Sequence, residues 1–149
     1  MQQNCLIVED NPRWQKLLAG NLSRLGFECT IVSDEEQAID AIQKSVNEHC
    51  LFSLITLDCH LDGTGRRAGR EILVYLRDVF MILPEVSCIV VSGTSEPDEV
   101  RDFLVEFSVE DFFSKQRFEL DRFIKLVSEI RDRKTSSLGH TQLSLSQLV

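Results

Sequence analysis

The sequence predicts a doubly wound α/β fold, with a parallel sheet in strand order 2-1-3-4-5 and helices on both faces. Apolar strand-like runs alternate with helical patterns five times along the 149 residues. Parallel strands need right-handed crossover connections that are long enough to hold a helix. The first, third and fourth runs are almost continuously apolar, which is typical of central strands covered on both faces. A chain of this length is expected to form one domain with a substantial core.

The first half of the chain contains the signals for two strands and the helix between them. A short apolar run at 4–8 predicts the first strand, and Asn11 followed by Pro12 provides an N-cap and a first helical residue. Gly26 ends this helix. The alternating run at 27–32 predicts a half-buried strand at the edge of the sheet.

The second and third helices lie on either side of another apolar run. Ser33 and Glu36 have the spacing of a capping box, which predicts the start of the second helix. Residues 51–57 predict the third strand. Apolar residues at helical spacing then predict a third helix from about Gly69 to Phe80.

The last two strand-helix units follow the same pattern. Residues 87–91 predict the fourth strand, and an apolar stripe at helical spacing predicts the helix that follows it. Residues 109–113 predict a short fifth strand, followed by a helix to about Arg133. The Ser-, Leu- and Gln-rich residues 134–149 sustain no long helical stripe. We therefore expect one domain over 1–133, followed by a tail or a truncated linker.

The composition disfavours several classes of function. The formal net charge of -8 disfavours direct binding to nucleic acid phosphates and to anionic membrane surfaces. No apolar stretch reaches the roughly 20 residues of a membrane span, and the N-terminus lacks the apolar segment of a signal peptide. We therefore expect a cytoplasmic protein. The five cysteines form no CxxC pair, which favours reduced core thiols over a metal site or a disulfide.

Polar side chains follow four of the predicted strands. Glu9 and Asp10 come after the first, Asp58 after the third, Ser92 after the fourth and Lys115 after the fifth. Because ligands bind at the carboxyl ends of strands in open α/β sheets, we expect these side chains to converge. Mg²⁺ prefers oxygen ligands and retains several waters. The sequence therefore predicts a Mg²⁺ site formed by Asp10 and Asp58, with Glu9 acting through water.

A glycine-rich stretch after the third strand offers a different interpretation, a loop that cradles a dinucleotide. In such a fingerprint the first glycine directly follows the strand. Here Gly63 lies five positions after Asp58, so we interpret residues 63–69 as a lengthened loop instead. This loop contributes to a basic cluster, which is either a solvated surface or a docking handle for an acidic partner: Arg66, Arg67 and Arg70.

The ordered set of an acidic pair, an aspartate, a hydroxyl and a lysine resembles the receiver domain of two-component response regulators, of the chemotaxis-type single-domain kind. The resemblance covers about residues 3–131 and implies a flavodoxin-like fold. It implies that Asp58 accepts a phosphoryl group from a histidine kinase or a histidine phosphotransfer protein. Asp10, Asp58 and the backbone carbonyl of His60 would bind Mg²⁺, Ser92 would hydrogen-bond a phosphoryl oxygen, and Lys115 would pair with the anion.

The resemblance also implies a conformational output and a downstream protein target. Phe112 occupies the aromatic switch position of the family, although a core phenylalanine would look identical. The surface of the fourth helix, fifth strand and fifth helix would change when Asp58 is phosphorylated, and the resemblance also allows a homodimer. Phosphoryl transfer needs positioning and charge neutralisation more than covalent assistance, which suits this set of residues.

Apart from Ser92, which keeps the hydroxyl where the family more often has threonine, the chain departs from the family pattern in two places. Gln116 follows Lys115 where the family usually has proline, so the usual cis peptide bond is not expected here. Leu61 and Asp62 stand where the family usually has Met-Pro, with a short insertion before Gly69. Neither change removes a group of the phosphorylation site.

Two other functions remain open at this stage. The chain could be a receiver-like module that only docks or dimerises, without phosphorylation. It could also be a Mg²⁺-dependent phosphatase with an aspartyl nucleophile, but such enzymes typically carry a second aspartate two residues after the first, and here His60 holds that place. For a phosphoacceptor, the expected catalysis is limited to Mg²⁺-dependent self-phosphorylation and dephosphorylation.

Glu9 and Asp10 also have an alternative interpretation. Taken alone, they would fit ordinary acidic residues at the start of a helix.

Overall fold

The computed structural model describes residues 2–61, 68–83, 85–93 and 97–147, with the backbone alone for Ala68 and 137–147. All strands of its five-stranded sheet pair in parallel, in the order β2-β1-β3-β4-β5. The predicted fold class and strand order are therefore confirmed. The strands are Gln3–Val8 (β1), Phe27–Val32 (β2), Leu54–Leu57 (β3), Ser87–Ser92 (β4) and Asp111–Ser114 (β5).

Helices connect the successive strands and cover both faces of the sheet. They are Pro12–Arg24 (α1), Glu35–Asn47 (α2), Ala68–Val74 (α3), Pro97–Glu106 (α4) and Leu120–Gln147 (α5). The α3 helix continues directly into a π-helical turn, Tyr75–Val79, in which the amide of Phe80 donates to the carbonyl of Tyr75. Among the described residues, no helix is long and apolar enough to cross a bilayer.

The core forms two layers, one on each face of the sheet. Successive residues of a strand point to opposite faces, so Leu54 of β3 joins one layer and Ile55 the other. The same alternation places Leu6 and Ile7 of β1 in different layers. Because both faces are covered by helices, the central strands need apolar residues at consecutive positions, which explains their continuous apolar runs.

The start of α2 differs from the prediction by one residue. Asp34, and not Ser33, is the N-cap, and its side chain accepts a hydrogen bond from the Gln37 amide at 2.8 Å. The side chain of Gln37 in turn accepts a hydrogen bond from the Ser33 amide at 2.9 Å. Gln37 therefore accepts from the Ser33 amide, the donor predicted for Glu36, and this amide lies one residue before the N-cap.

Three element boundaries also differ from the sequence prediction. The β3 strand is shorter than 51–57, and Phe52 packs into the core outside the strand. The β5 strand begins after residue 109 because Ser108 has a φ of 53° and turns the chain before the sheet. The helical run predicted for Gly69 to Phe80 divides into α3 and the π-helical turn.

The predicted end of α5 at Arg133 is wrong, since the helix runs to Gln147. Contacts with the body of the domain continue past the predicted end. The Gln3 side chain donates to the carbonyl of Arg131 and to the hydroxyl of Thr135, both at 2.9 Å. Serine and glutamine are tolerated in a helix, so a loss of apolar periodicity did not mark its end. The division into a domain and a tail stays a prediction.

Candidate functional site

The side chains predicted to converge lie together at the carboxyl edge of the sheet. Val8 of β1 pairs with Leu57 of β3, and Leu57 pairs with Val90 of β4, so these strands end at the same edge. The structure brings together Glu9, Asp10, Asp58, Ser92 and Lys115.

Asp58 is the residue that the others contact. Its carboxylate is 4% exposed, and its Oδ2 lies 2.8 Å from the Lys115 ammonium. Its Oδ1 accepts hydrogen bonds from the Ser92 hydroxyl at 3.2 Å and from the His60 amide at 3.1 Å. Burial of a charged group requires partners of this kind, and both carboxylate oxygens have them.

Lys115 connects Asp58 with a second buried carboxylate. It begins the 3-10 turn Lys115–Arg117 after β5, and its Nζ lies 2.8 Å from Oε2 and 2.9 Å from Oε1 of Glu9. Burial opposes the lysine charge, but the hydrogen bonds to Asp58 and Glu9 outweigh it and raise the pKa of Lys115. Burial raises the pKa of Glu9, although the Lys115 hydrogen bond opposes that shift.

Three carboxylates lie close enough to share one cation. Ligand oxygens of Glu9, Asp10 and Asp58 all lie within 4.8 Å of one another. When all three acids are ionised, their negative charge exceeds the single positive charge of the Lys115 ammonium beside them. The donor set consists of oxygen atoms alone, which fits a hard divalent cation that completes its shell with water. The residues present therefore fit the predicted metal.

The loop that carries Glu9 and Asp10 is fixed by the start of α1. Asn11 is the N-cap of this helix, and its side chain accepts hydrogen bonds from the amides of Arg13 and Trp14. The Gln15 side chain donates to the backbone carbonyl of Glu9 at 2.7 Å. Because Asn11 provides the cap, Glu9 and Asp10 are not explained as capping acids.

His60 and Phe112 lie next to this group and contact helix α4. The Nε2 atom of His60 lies 3.6 Å from Oε1 of Glu99, while its backbone amide donates to Asp58. The predicted role of the His60 carbonyl as a metal ligand stays a prediction. Phe112 is 9% exposed and packs 6.3 Å, between ring centroids, from Phe103. Its contacts fit a core residue, and its switch role also stays a prediction.

Only part of the glycine-rich loop lies among the described residues. A Cβ atom at Gly69 would lie 2.9 Å from the Cα of Cys59 and 3.0 Å from the carbonyl oxygen of Asp58. Glycine therefore allows the start of α3 to pack against the backbone that follows Asp58. Arg70 of the predicted basic cluster pairs with Glu106 at 3.1 Å. The other predicted residues of this loop lie outside the described residues: Gly63, Gly65, Arg66 and Arg67.

Sequence reasoning missed two contacts around Lys115. Its ammonium lies 5.4 Å from the centre of the Trp14 ring, on the inner side of α1. The neighbouring Gln116 donates from Nε2 to the carbonyl of Gly93 at 2.7 Å. The only sequence signal for the second contact was that glutamine replaces a proline of the family pattern.

Comparisons with known proteins agree with this geometry. A family model described as the response regulator receiver domain matches residues 5–128. A protein named hybrid signal transduction histidine kinase I, from Dictyostelium discoideum, is 37% identical over 59 residues. That match covers 40% of this chain but spans only 3% of the length of the kinase.

Solved structures share the fold over almost the whole chain. The signal receiver domain of a putative Luxo repressor protein from Vibrio parahaemolyticus has a TM-score of 0.72 at 21% identity, over 92% of this chain and 95% of that one. The Mn(2+)-bound form of response regulator Rcp1 has a TM-score of 0.62 at 24% identity, over 86% and 91%. At these sequence identities, the structural similarity establishes the fold alone.

Proposed function

This chain belongs to the response regulator receiver domain family, and we infer that Asp58 is the residue at which it accepts a phosphoryl group. The observation that carries this proposal is the contact set of Asp58. A buried carboxylate at the end of a central strand has a hydroxyl on one oxygen and an ammonium on the other. Such an arrangement can orient an attacking carboxylate and neutralise the charge of a phosphoryl group.

The proposed reaction is a direct transfer from a phosphohistidine. An oxygen of Asp58 forms a bond to phosphorus while the bond from phosphorus to the donor nitrogen breaks, and the electron pair stays on the imidazole. Lys115 neutralises negative charge on the phosphoryl oxygens, and the hydroxyl of Ser92 turns from Asp58 to donate to one of them. Hydrolysis of the aspartyl phosphate later returns the free carboxylate, so the chain consumes no metabolic substrate of its own.

Mg²⁺ is the proposed cofactor. Asp10, Asp58 and the backbone carbonyl of His60 would hold it, with Glu9 acting through water. When bound, the cation offsets the repulsion between the carboxylates and an anionic donor. The close group of oxygen ligands supports this assignment, as does the Mn²⁺ in a relative of the same fold.

The proposed upstream partner is a histidine kinase or a histidine phosphotransfer protein, and the proposed downstream partner is a protein that binds the α4, β5 and α5 surface. His60 connects the site to that surface, because its amide donates to Asp58 and its ring contacts Glu99 of α4. Phe112 on β5 packs beside the same helix. A homodimer through this surface and a cytoplasmic location stay predictions.

A small phosphodonor tests the proposal. Acetyl phosphate with Mg²⁺ should add one phosphoryl group to the wild-type chain, which intact-mass spectrometry detects. Asp58→Asn should abolish the adduct, while Asp40→Asn, an exposed acid of α2, should leave it unchanged. No adduct on either chain would support the phosphorylation-independent docking module. Continued hydrolysis of many molecules of acetyl phosphate per protein molecule would support the phosphatase.

A further inference from the structure

The side chain of Gln116 bridges the two loops that deliver Ser92 and Lys115 to Asp58. Its Nε2 donates to the carbonyl oxygen of Gly93 at 2.7 Å, and its Oε1 accepts a hydrogen bond from the Ser114 hydroxyl at 2.8 Å. Gly93 directly follows Ser92, and Gln116 directly follows Lys115. The bridge therefore joins the backbone at the end of β4 to the turn after β5, one residue away from both contacts of Asp58.

The chemistry of this bridge requires an amide. The carbonyl of Gly93 can only accept, so the amide nitrogen of Gln116 must face it, and the amide oxygen then accepts from the Ser114 hydroxyl. A glutamate of the same shape cannot donate to a carbonyl, and proline has no polar side chain. The position usually held by proline in this family therefore carries a tether between two loops here.

Gly93 leaves space for this contact. Among the described residues other than its two chain neighbours, the Nε2 of Gln116 is the one atom within 4 Å of a Cβ atom built on Gly93, at 3.9 Å. A single hydrogen bond to a carbonyl at the end of a strand restricts how far the adjoining loop can move.

We propose that Gln116 is a positioning residue that fixes the spacing between Ser92 and Lys115 around Asp58 and thereby increases the rate of phosphorylation. The inference rests on the proposed function of Asp58. Among the described residues, the Gln116 side chain hydrogen-bonds Gly93 and Ser114, not Asp58 or the carboxylates of the metal site, so its effect is exerted through the two loops. Small displacements of positioned groups reduce the rates of such transfers.

The test compares phosphorylation rates of the wild type, Gln116→Glu, Gln116→Ala and Ser114→Ala with acetyl phosphate and saturating Mg²⁺. Both Gln116 variants should react about five-fold more slowly, the factor expected for the loss of one hydrogen bond. Ser114→Ala, which keeps the donor but loses its orientation, should have an intermediate rate. Gln43→Glu is the matched control, because among the described residues the side chain of Gln43 donates to Asn47, on the exposed side of α2.

A second measurement separates positioning from metal binding and from loss of structure. The half-saturating Mg²⁺ concentration and the melting temperature should change little in the Gln116 variants. Equal maximal rates in wild type and both Gln116 variants would overturn the inference while leaving the function of Asp58 intact. A shift in Mg²⁺ affinity that accounts for the whole rate loss would also overturn it. If the wild type accepts no phosphoryl group, the proposed function fails and the inference fails with it.

Discussion

The ammonium of Lys115 lies 5.4 Å from the centre of the Trp14 ring, while the same ammonium lies 2.8 Å from Asp58. A cation near the face of an indole ring is attracted to it and changes its electrostatic environment. Trp14 is the single tryptophan of the chain. Its fluorescence therefore reports the position of the lysine that pairs with the candidate phosphoacceptor.

We expect Mg²⁺ to change the fluorescence of Trp14 in a saturable titration. A divalent cation among the three carboxylates competes with the Lys115 ammonium for Asp58 and Glu9, so the lysine shifts relative to the ring. Asp10→Asn should weaken the transition, and Asp58→Asn should remove it. A titration curve identical to that of the wild type in both variants would contradict the metal assignment, and NaCl at the same ionic strength controls for screening by salt.

Lys115→Ala should destabilise the metal-free protein. The substitution leaves two carboxylates, Glu9 at 1% and Asp58 at 4% exposure, without their shared cation. Loss of a partner from a fully buried pair costs about 3–5 kcal/mol, and we expect about 2 kcal/mol here because the lysine is partly exposed. Urea unfolding measures this difference in the free energy of unfolding.

The same unfolding experiment contains its own control. Lys44→Ala removes an exposed lysine of α2 that pairs with Glu48, the residue just after the helix, and its effect should stay within about 0.5 kcal/mol. Saturating Mg²⁺ should restore most of the stability of Lys115→Ala, since the cation replaces the ammonium beside the carboxylates. If Mg²⁺ stabilises the wild type and Lys115→Ala equally, the lysine and the metal do not share these carboxylates.

The architecture could be predicted from the sequence because a strand that is buried on both faces requires apolar residues at consecutive positions. Leu54 and Ile55 enter opposite core layers, so a central strand has no polar face. Element ends were less predictable. The turn at Ser108 depends on a positive φ that serine does not signal, and α5 continues through residues with no apolar stripe. Such element ends are not marked by a periodic pattern of apolar residues in the sequence.

The candidate site was predictable where topology alone decides it. Strands that run in parallel end at one edge, so residues that follow β3 and β5, such as Asp58 and Lys115, had to lie near one another. Their roles in phosphoryl transfer stay predictions. The Gln116 bridge to Gly93 joins loops 23 positions apart, and it depends on the reach of one side chain. Strand periodicity contains no information about such a contact.

Phosphorylation of Asp58 should change the dynamics of α4 and β5 as well as the site itself. His60 links the Asp58 carboxylate to Glu99 of α4, so a new phosphoryl group that displaces the hydrogen bond from the His60 amide alters the anchorage of that helix. Amide exchange in the presence of a phosphoryl mimic should change by about two-fold or more in 97–106 and 111–114. Ser92→Ala should reduce this response.

Helix α2 serves as the internal reference for the exchange experiment, because it packs against α3 and β1, whereas α4 packs against β5. Its amides should exchange at the same rate with and without the mimic. Changes confined to residues 58–69 would contradict transmission to the α4 and β5 surface. Equal changes across every helix would indicate general stabilisation by the bound mimic instead of a directed response.

Cys29 should behave as a reactive thiol near neutral pH. It lies beside Cys5 in the register of β1 and β2, and hydrogen bonds from Cys5 and Ser23 outweigh burial to lower its pKa from 9.0 to about 7. Because the thiolate is the reactive form, alkylation of Cys29 by iodoacetamide should increase as pH rises through about 7 and then level off. Peptide mass spectrometry measures this rate between about pH 5.5 and 9.5. Cys5→Ala removes the principal donor and should move the midpoint upward toward 9.0, whereas an unchanged midpoint would show that Cys5 does not stabilise the thiolate.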